Sequence, residues 1–162
     1  MKILFVSSYV NNSFFIKYSK KYLDQNLINC TYDYICLNDA PDINNNEKNY
    51  MKLCDMITGE DNCYEETKNQ ANKNQFKHIK IPQNIHNEFL PNQGGSRHID
   101  CFNYFNSNID TLFPNYAEYD YLCYIDSDCF LRKKFDPTVQ LDNYDIIAPM
   151  IYINEYDKYP HT

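Results

Sequence analysis

The chain has no tryptophan, only three glycines and no long uninterrupted run of apolar residues. Each shortage removes a class of protein. Nothing approaches the roughly 20 consecutive apolar residues of a membrane-crossing helix, so no transmembrane segment is expected. No glycine follows the first apolar segment, so the glycine-rich loop that cradles phosphates after a first strand is missing. Fifteen lysines and arginines face 22 acids, for a net charge of −7. With no basic stripe to neutralise phosphates, nucleic acid is not an expected partner, and an anionic membrane surface is disfavoured. The cysteines number seven, and no two form a CxxC pair. A disulfide framework is therefore not indicated, and a reduced, cytoplasmic setting is expected. Cys36, Cys101, Cys123 and Cys129 fall in apolar patterns, where free cysteine serves as a small buried hydrophobe. Residues 1–10 lack the cleavage site of a secretory leader and fit a first strand better.

What is present is a single domain. A length of 162 residues, 43% hydrophobic and 16% aromatic, supports one real core over 1–162 and rules out a disordered chain. The excess of Asn and Tyr is read as a reflection of nucleotide composition. Residues 2–6 form a β-rich opening strand, followed by a polar turn over 7–13. An amphipathic pattern over 14–27, with Phe15, Ile16, Tyr22, Leu23 and Leu27 apolar, predicts a helix. Residues 32–37 predict a second strand, completing a βαβ unit with a parallel pair. Residues 41–75 read as a loop-rich connection with one short helix near 50–57. A short strand is expected over 76–81, stopped by Pro82. Gly94-Gly95-Ser96 opens a helix over 97–109, with Ile99, Phe102, Phe105 and Ile109 inward. Residues 121–125 predict a central strand and 144–148 a further one. The fold class is α/β, an open and mostly parallel sheet flanked by helices, with ligands expected at the carboxyl ends of its strands.

The stretch from Tyr121 to Leu131, YLCYIDSDCFL, carries the chemistry. An apolar strand runs into Asp126 and Asp128 and then turns apolar again. Two carboxylates at that point are costly unless a cation meets them. Oxygen ligands separated by one residue suit a hard divalent ion such as Mg2+ or Mn2+, whose obvious task is to hold a diphosphate. Two carboxylates near 4 Å from a diphosphate repel it by about 4 kcal/mol per charge pair at an effective dielectric near 20, and a divalent ion reverses that sign. A solvated turn is the bland alternative. Arg97 and His98 lie in the first turn of a helix, where free N–H groups favour anions, or where Ser96 merely caps. Asp39 closes the second strand, a place that faces a nucleotide ribose or base in open α/β sheets and where turn acids are also common. The run Arg132-Lys133-Lys134 is read as a solvated face that also lowers the negative potential. A zinc site built on His98 and Cys101 is rejected for want of a second ligand pair.

These residues together resemble glycosyltransferases of the GT-A fold. More narrowly, Gly94-Gly-Ser-Arg-His-Ile-Asp-Cys-Phe-Asn-Tyr-Phe leading into Tyr119-Asp-Tyr-Leu-Cys-Tyr-Ile-Asp-Ser-Asp is similar to nucleotide-sugar transferases of bacteria and large DNA viruses. The resemblance implies a Rossmann-like GT-A sheet, with Asp126 and Asp128 as the Asp-x-Asp motif. Asp126 would touch the ribose or sugar of the donor, and Asp128 would coordinate Mn2+ or Mg2+ on the diphosphate. Arg97 would contact the donor, the turn from Ser7 to Tyr9 would cover the base, and Asp39 joins the same donor set. His161 is a candidate further metal ligand.

GT-A domains usually run longer, so the resemblance implies a donor-binding half that lacks part of the C-terminal acceptor half. No base is assigned: Glu155 and Asp157 are available, and a retaining enzyme needs none. The implied activity is metal-dependent transfer of a sugar from a nucleoside-diphosphate sugar, UDP-sugar favoured, to an unknown glycan, protein or lipid acceptor. The setting would be cytoplasmic, or the virion or host cytoplasm for a viral chain. The alternatives are a non-catalytic or partner-dependent carbohydrate-binding module, working with a partner chain or as a homo-oligomer, and a nucleotidyltransferase. The glycine-free segment 7–12 argues against the last.

Overall fold

The computed structural model describes residues 1–10, 12–40, 63–86 and 94–141, with backbone alone for 94–96. Strands β1 (Lys2–Tyr9), β2 (Thr31–Asn38), β3 (Lys77–Lys80) and β4 (Tyr121–Tyr124) form one sheet of order β3-β2-β1-β4. All three pairings are parallel. Helices α1 (Ile16–Asn26), α2 (Cys63–Lys73), α3 (Gly94–Ser107), α4 (Ile109–Leu112) and α5 (Pro137–Gln140) connect and flank the strands. The α/β open sheet expected from the alternation of periods is thus what the chain forms. No described helix is long and apolar enough to cross a membrane.

The two-residue period of a strand sends neighbouring side chains to opposite faces, and β1 and β2 are apolar on both. Ile3, Phe5 and Tyr9 join Tyr34 and Cys36 against Ile16 and Leu23 of α1 and Ala71 of α2. Leu4, Val6, Ile35 and Leu37 pack on the other face with Cys101 and Phe105 of α3. The helices follow from strand order. From β1 to β2 to β3 the chain steps one way across the sheet, and α1 and α2 lie on one face. From β3 it crosses back to β4, and α3 lies on the opposite face, as a constant crossover hand requires.

Several local expectations differ from the structure. The opening strand runs on to Tyr9, so Ser7, Ser8 and Tyr9 are strand residues, all buried, and not a turn. Its parallel partner β2 supplies hydrogen bonds all the way to Asn38, opposite Tyr9, which carries the strand past the polar serines. Helix α2 falls in the stretch read as loop. Its buried stripe, Cys63, Thr67 and Ala71, is small and partly polar, too weak a signal against the surrounding Glu, Lys and Asn. The short helix expected near 50–57 and the strand expected over 144–148 lie outside the described residues. Ile99 is 60% exposed and not inward, whereas Phe105 is fully buried. Strand β4 alternates between half-buried and exposed residues and is the last strand beside β1 among those described. Cys129 is exposed, while Cys36 and Cys101 are buried as expected. With glycine scarce, the left-handed backbone positions fall to Asn29 (φ 57°) and Gln75 (φ 61°), the latter in the turn between α2 and β3.

Phe105→Ala should cost about 3–5 kcal/mol of unfolding free energy by removing a buried aromatic ring. Ile99→Ala, at an exposed site, should stay within about 0.5 kcal/mol of the parent. Urea unfolding followed by circular dichroism measures both.

Candidate functional site

Parallel pairing places every strand's carboxyl end on one edge of the sheet. Val6 pairs with Tyr124, and the next amide, Ile125 N–H, donates to the Val6 carbonyl at 3.0 Å. The chain then leaves β4 through a tight turn in which Cys129 N–H donates to the Asp126 carbonyl at 3.0 Å. Within the turn Ser127 is buried, and Asp126 and Asp128 on either side of it are exposed. Ser127 is secured by its hydroxyl, which accepts a hydrogen bond from the Asn12 side-chain amide of the β1–α1 connection. Asn12 Oδ1 is buried and has no hydrogen-bond partner among the described residues.

This turn sits where the strand order reverses. Connections from β1 run toward β2 and β4 lies on the other side of β1, while the segment after β4 packs on the α1 face, with Phe130 against Phe15, Tyr18 and Tyr22. In open α/β sheets the ligand crevice opens at that switch point. Among the described residues, neither Asp126 nor Asp128 is ion-paired with a lysine or arginine. Lys134, the last of the basic run, donates to the Gln25 carbonyl at 2.7 Å and not to either acid. Nearby, Cys129 Sγ lies 3.9 Å from Asp128 Oδ1. Its thiol is pushed up first by burial and then by the charges of Asp128 and Asp126.

Asp39 and Arg97, read from sequence as separate donor contacts, bind each other. Asp39 is completely buried at the end of β2. Arg97 Nε and a terminal guanidinium nitrogen both lie 2.9 Å from Asp39 Oδ2. His86 Nε2 lies 2.7 Å from Asp39 Oδ1, and the other ring nitrogen lies 3.1 Å from Asp100 Oδ2. Gln83 completes the set, donating to the Asp39 carbonyl at 2.9 Å and accepting from Arg97 at 3.1 Å. A buried carboxylate demands this much compensation.

Asp39, His86 and Cys101 place their ligand atoms within 4.8 Å of one another. Three features close that trio to a cation. Arg97 occupies one Asp39 oxygen, His86 faces a carboxylate at each ring nitrogen, and the buried Cys101 thiol is pushed well above its usual range, chiefly by desolvation and then by the Asp39 charge. The cluster is a clamp that ties the start of α3 to the end of β2.

The remaining sequence candidates divide. Ser7 is buried inside β1. Tyr9 is buried too, with its hydroxyl 2.9 Å from that of Tyr34, and burial pushes its ionisation far up. In that position the Tyr9 ring belongs to the core and does not cover a base. His98 meets the Ser8 hydroxyl through Nδ1, bringing the first turns of α3 to the end of β1. His161, Glu155 and Asp157 lie outside the described residues. Sequence reasoning missed Asn12, Gln83 and His86. Pro82 before Gln83 gave a turn signal, but nothing local distinguished His86 from a surface histidine. Comparisons of the chain with protein-family models, curated proteins and solved structures found no match.

Asp39→Ala should destabilise the fold by about 3–5 kcal/mol, because it leaves the Arg97 cation buried without its partner. The same substitution at Asp126 should change stability by no more than about 0.5 kcal/mol. Equilibrium urea denaturation of the two variants tests the contrast.

Proposed function

We propose that the chain is the donor-binding part of a metal-dependent glycosyltransferase of GT-A type, acting on a nucleoside-diphosphate sugar, UDP-sugar favoured. The observation that carries this reading is the pair Asp126 and Asp128, exposed and without a cationic partner among the described residues, at the carboxyl edge of a parallel sheet. In a chain whose buried acid is so fully compensated, two uncompensated acids at the carboxyl edge of the sheet mark a place prepared for a positive charge.

Asp126 and Asp128 fit a hard divalent ion, since both offer exposed carboxylate oxygens. Mn2+ or Mg2+ held there would neutralise the diphosphate and stabilise the departing nucleoside diphosphate as a Lewis acid. The protein's own contribution is preorganisation. The buried Ser127 and its bond from Asn12 fix the turn that carries the two carboxylates. The Asp39–Arg97–His86 clamp sets the start of α3 against the same edge. Ser8 with His98 adds a second tie from β1.

A second reading, a nucleotide-sugar or carbohydrate-binding module that needs a partner for catalysis, is favoured by one observation. The Arg97 guanidinium is committed to Asp39 and Gln83, which takes a cation away from the donor set.

UDP titrated calorimetrically into the protein should bind only with Mn2+ present, and Asp128→Ala should weaken that binding at least about 100-fold, or about 2.7 kcal/mol. GDP should bind less tightly. Metal-independent binding, or Mn2+-dependent binding that survives Asp128→Ala, would remove the two acids from the site. Donor binding without slow hydrolysis of UDP-sugars would favour the binding module.

A further inference from the structure

Beside the two acids lies a second patch, built from the β1–α1 connection, α1 and the segment after the Asp126–Cys129 turn. Phe14 is 52% exposed and Tyr18 37% exposed. The rings of Phe14 and Phe15 have centroids 4.0 Å apart, and Phe15 lies 5.6 Å from Phe130. Phe130 also meets Tyr18 at 6.2 Å and Tyr22 at 5.6 Å. Lys17 Nζ stands 5.0 Å from the Tyr18 ring centroid and Lys21 Nζ 5.9 Å from that of Tyr22. Arg132 and Lys133, after Phe130 and Leu131 in the chain, are exposed.

Lys20, on the same helix, is paired with Asp24 at 2.6 Å. Among the described residues, Lys17, Lys21, Arg132 and Lys133 have no carboxylate partner. A chain of net charge −7 thus sets two unpaired lysines against the rings of this shelf and two more unpaired cations on the segment that follows Phe130. The shelf is held to the acidic turn at two points, by Asn12 on Ser127 and by Phe15 on Phe130, with Phe14 between them in sequence.

We propose that this shelf binds an acidic saccharide, one carrying carboxylate or phosphate groups, as the acceptor of sugar transfer. The identity of the site as an acceptor subsite rests on the donor reading above. The occupant follows from the chemistry of the shelf. Exposed aromatic faces stack on the C–H faces of pyranose rings, tyrosine hydroxyls meet sugar hydroxyls, and unpaired Lys and Arg take the anionic groups. A membrane surface fits less well, because the rest of the chain is strongly acidic. Four cations in a compact patch do not track the regular phosphates of a nucleic acid.

The test is calorimetric titration of the full chain with a hyaluronan tetrasaccharide, with neutral maltotetraose, with phosphatidylserine–phosphatidylcholine vesicles and with an oligothymidylate. The tetrasaccharide should bind, and maltotetraose should bind at least about tenfold more weakly. Phe14→Ala and Arg132→Gln should each weaken the tetrasaccharide about tenfold, with Arg132→Gln also flattening its salt dependence. Mn2+-dependent UDP binding should be unchanged in both, and thermal unfolding confirms that each is folded. Arg132→Gln, an exposed substitution, carries the test if Phe14→Ala does not fold.

The proposal is overturned if the tetrasaccharide does not bind, if both variants bind it as the parent does, or if vesicles, oligothymidylate or maltotetraose bind as tightly. Loss of UDP binding with saccharide binding intact overturns the donor reading and leaves an acidic-saccharide module. UDP binding without saccharide binding overturns the shelf alone.

Discussion

Strand β1 is paired in parallel on both sides, with β2 over its full length and with β4 over four residues. Parallel strands cannot be joined by tight turns, so each connection must cross a face of the sheet. All carboxyl ends therefore share one edge, and the loops that leave β1 and β4 meet there through Asn12 and Ser127. Everything chemically distinctive in the described chain lies along that edge: Ser8 with His98, Asn12 with Ser127, the Asp39 clamp, and the pair Asp126 and Asp128.

The disposal of negative charge separates scaffold from site. Asp39 lies where water cannot reach it, and the structure gathers Arg97, His86 and Gln83 around it from positions far apart in the chain. Such a group is spent on cohesion, since removing any partner strands a buried charge. Asp126 and Asp128 remain in solvent, where their charge costs little and stays available to a ligand. The same logic runs in reverse for the cations of the aromatic shelf. Lys20 is consumed by Asp24, whereas Lys17, Lys21, Arg132 and Lys133 keep their charge on offer. The proposed acceptor shelf and the proposed donor site carry opposite local sign and are joined through Asn12 and Ser127.

The aromatic wealth of the chain divides along similar lines. Tyr9, Tyr34 and Phe76 are core residues, with Tyr34 stacked on Phe76 at 4.2 Å and its phenol pushed up to about 12 by burial. Phe14 and Tyr18 stay at the surface. Composition alone does not distinguish the two groups, because a tyrosine contributes equally to a hydrophobic count in either place.

Local pattern was enough for the βαβ opening, for the helix that presents Phe105 and for the exit of β4 at two acids. Those features rest on period and on runs of apolar residues within a dozen positions. Pattern was not enough for α2, whose buried stripe of Cys63, Thr67 and Ala71 is barely apolar, or for the extension of β1 through two serines, which β2 sustains. The pairing of Asp39 with Arg97, 58 residues apart, and the place of His86 beside them were decided by the tertiary structure alone. A strand's periodicity states which face a side chain takes, but not which strand will lie beside it. Only the order β3-β2-β1-β4 and its crossovers bring those side chains to one edge.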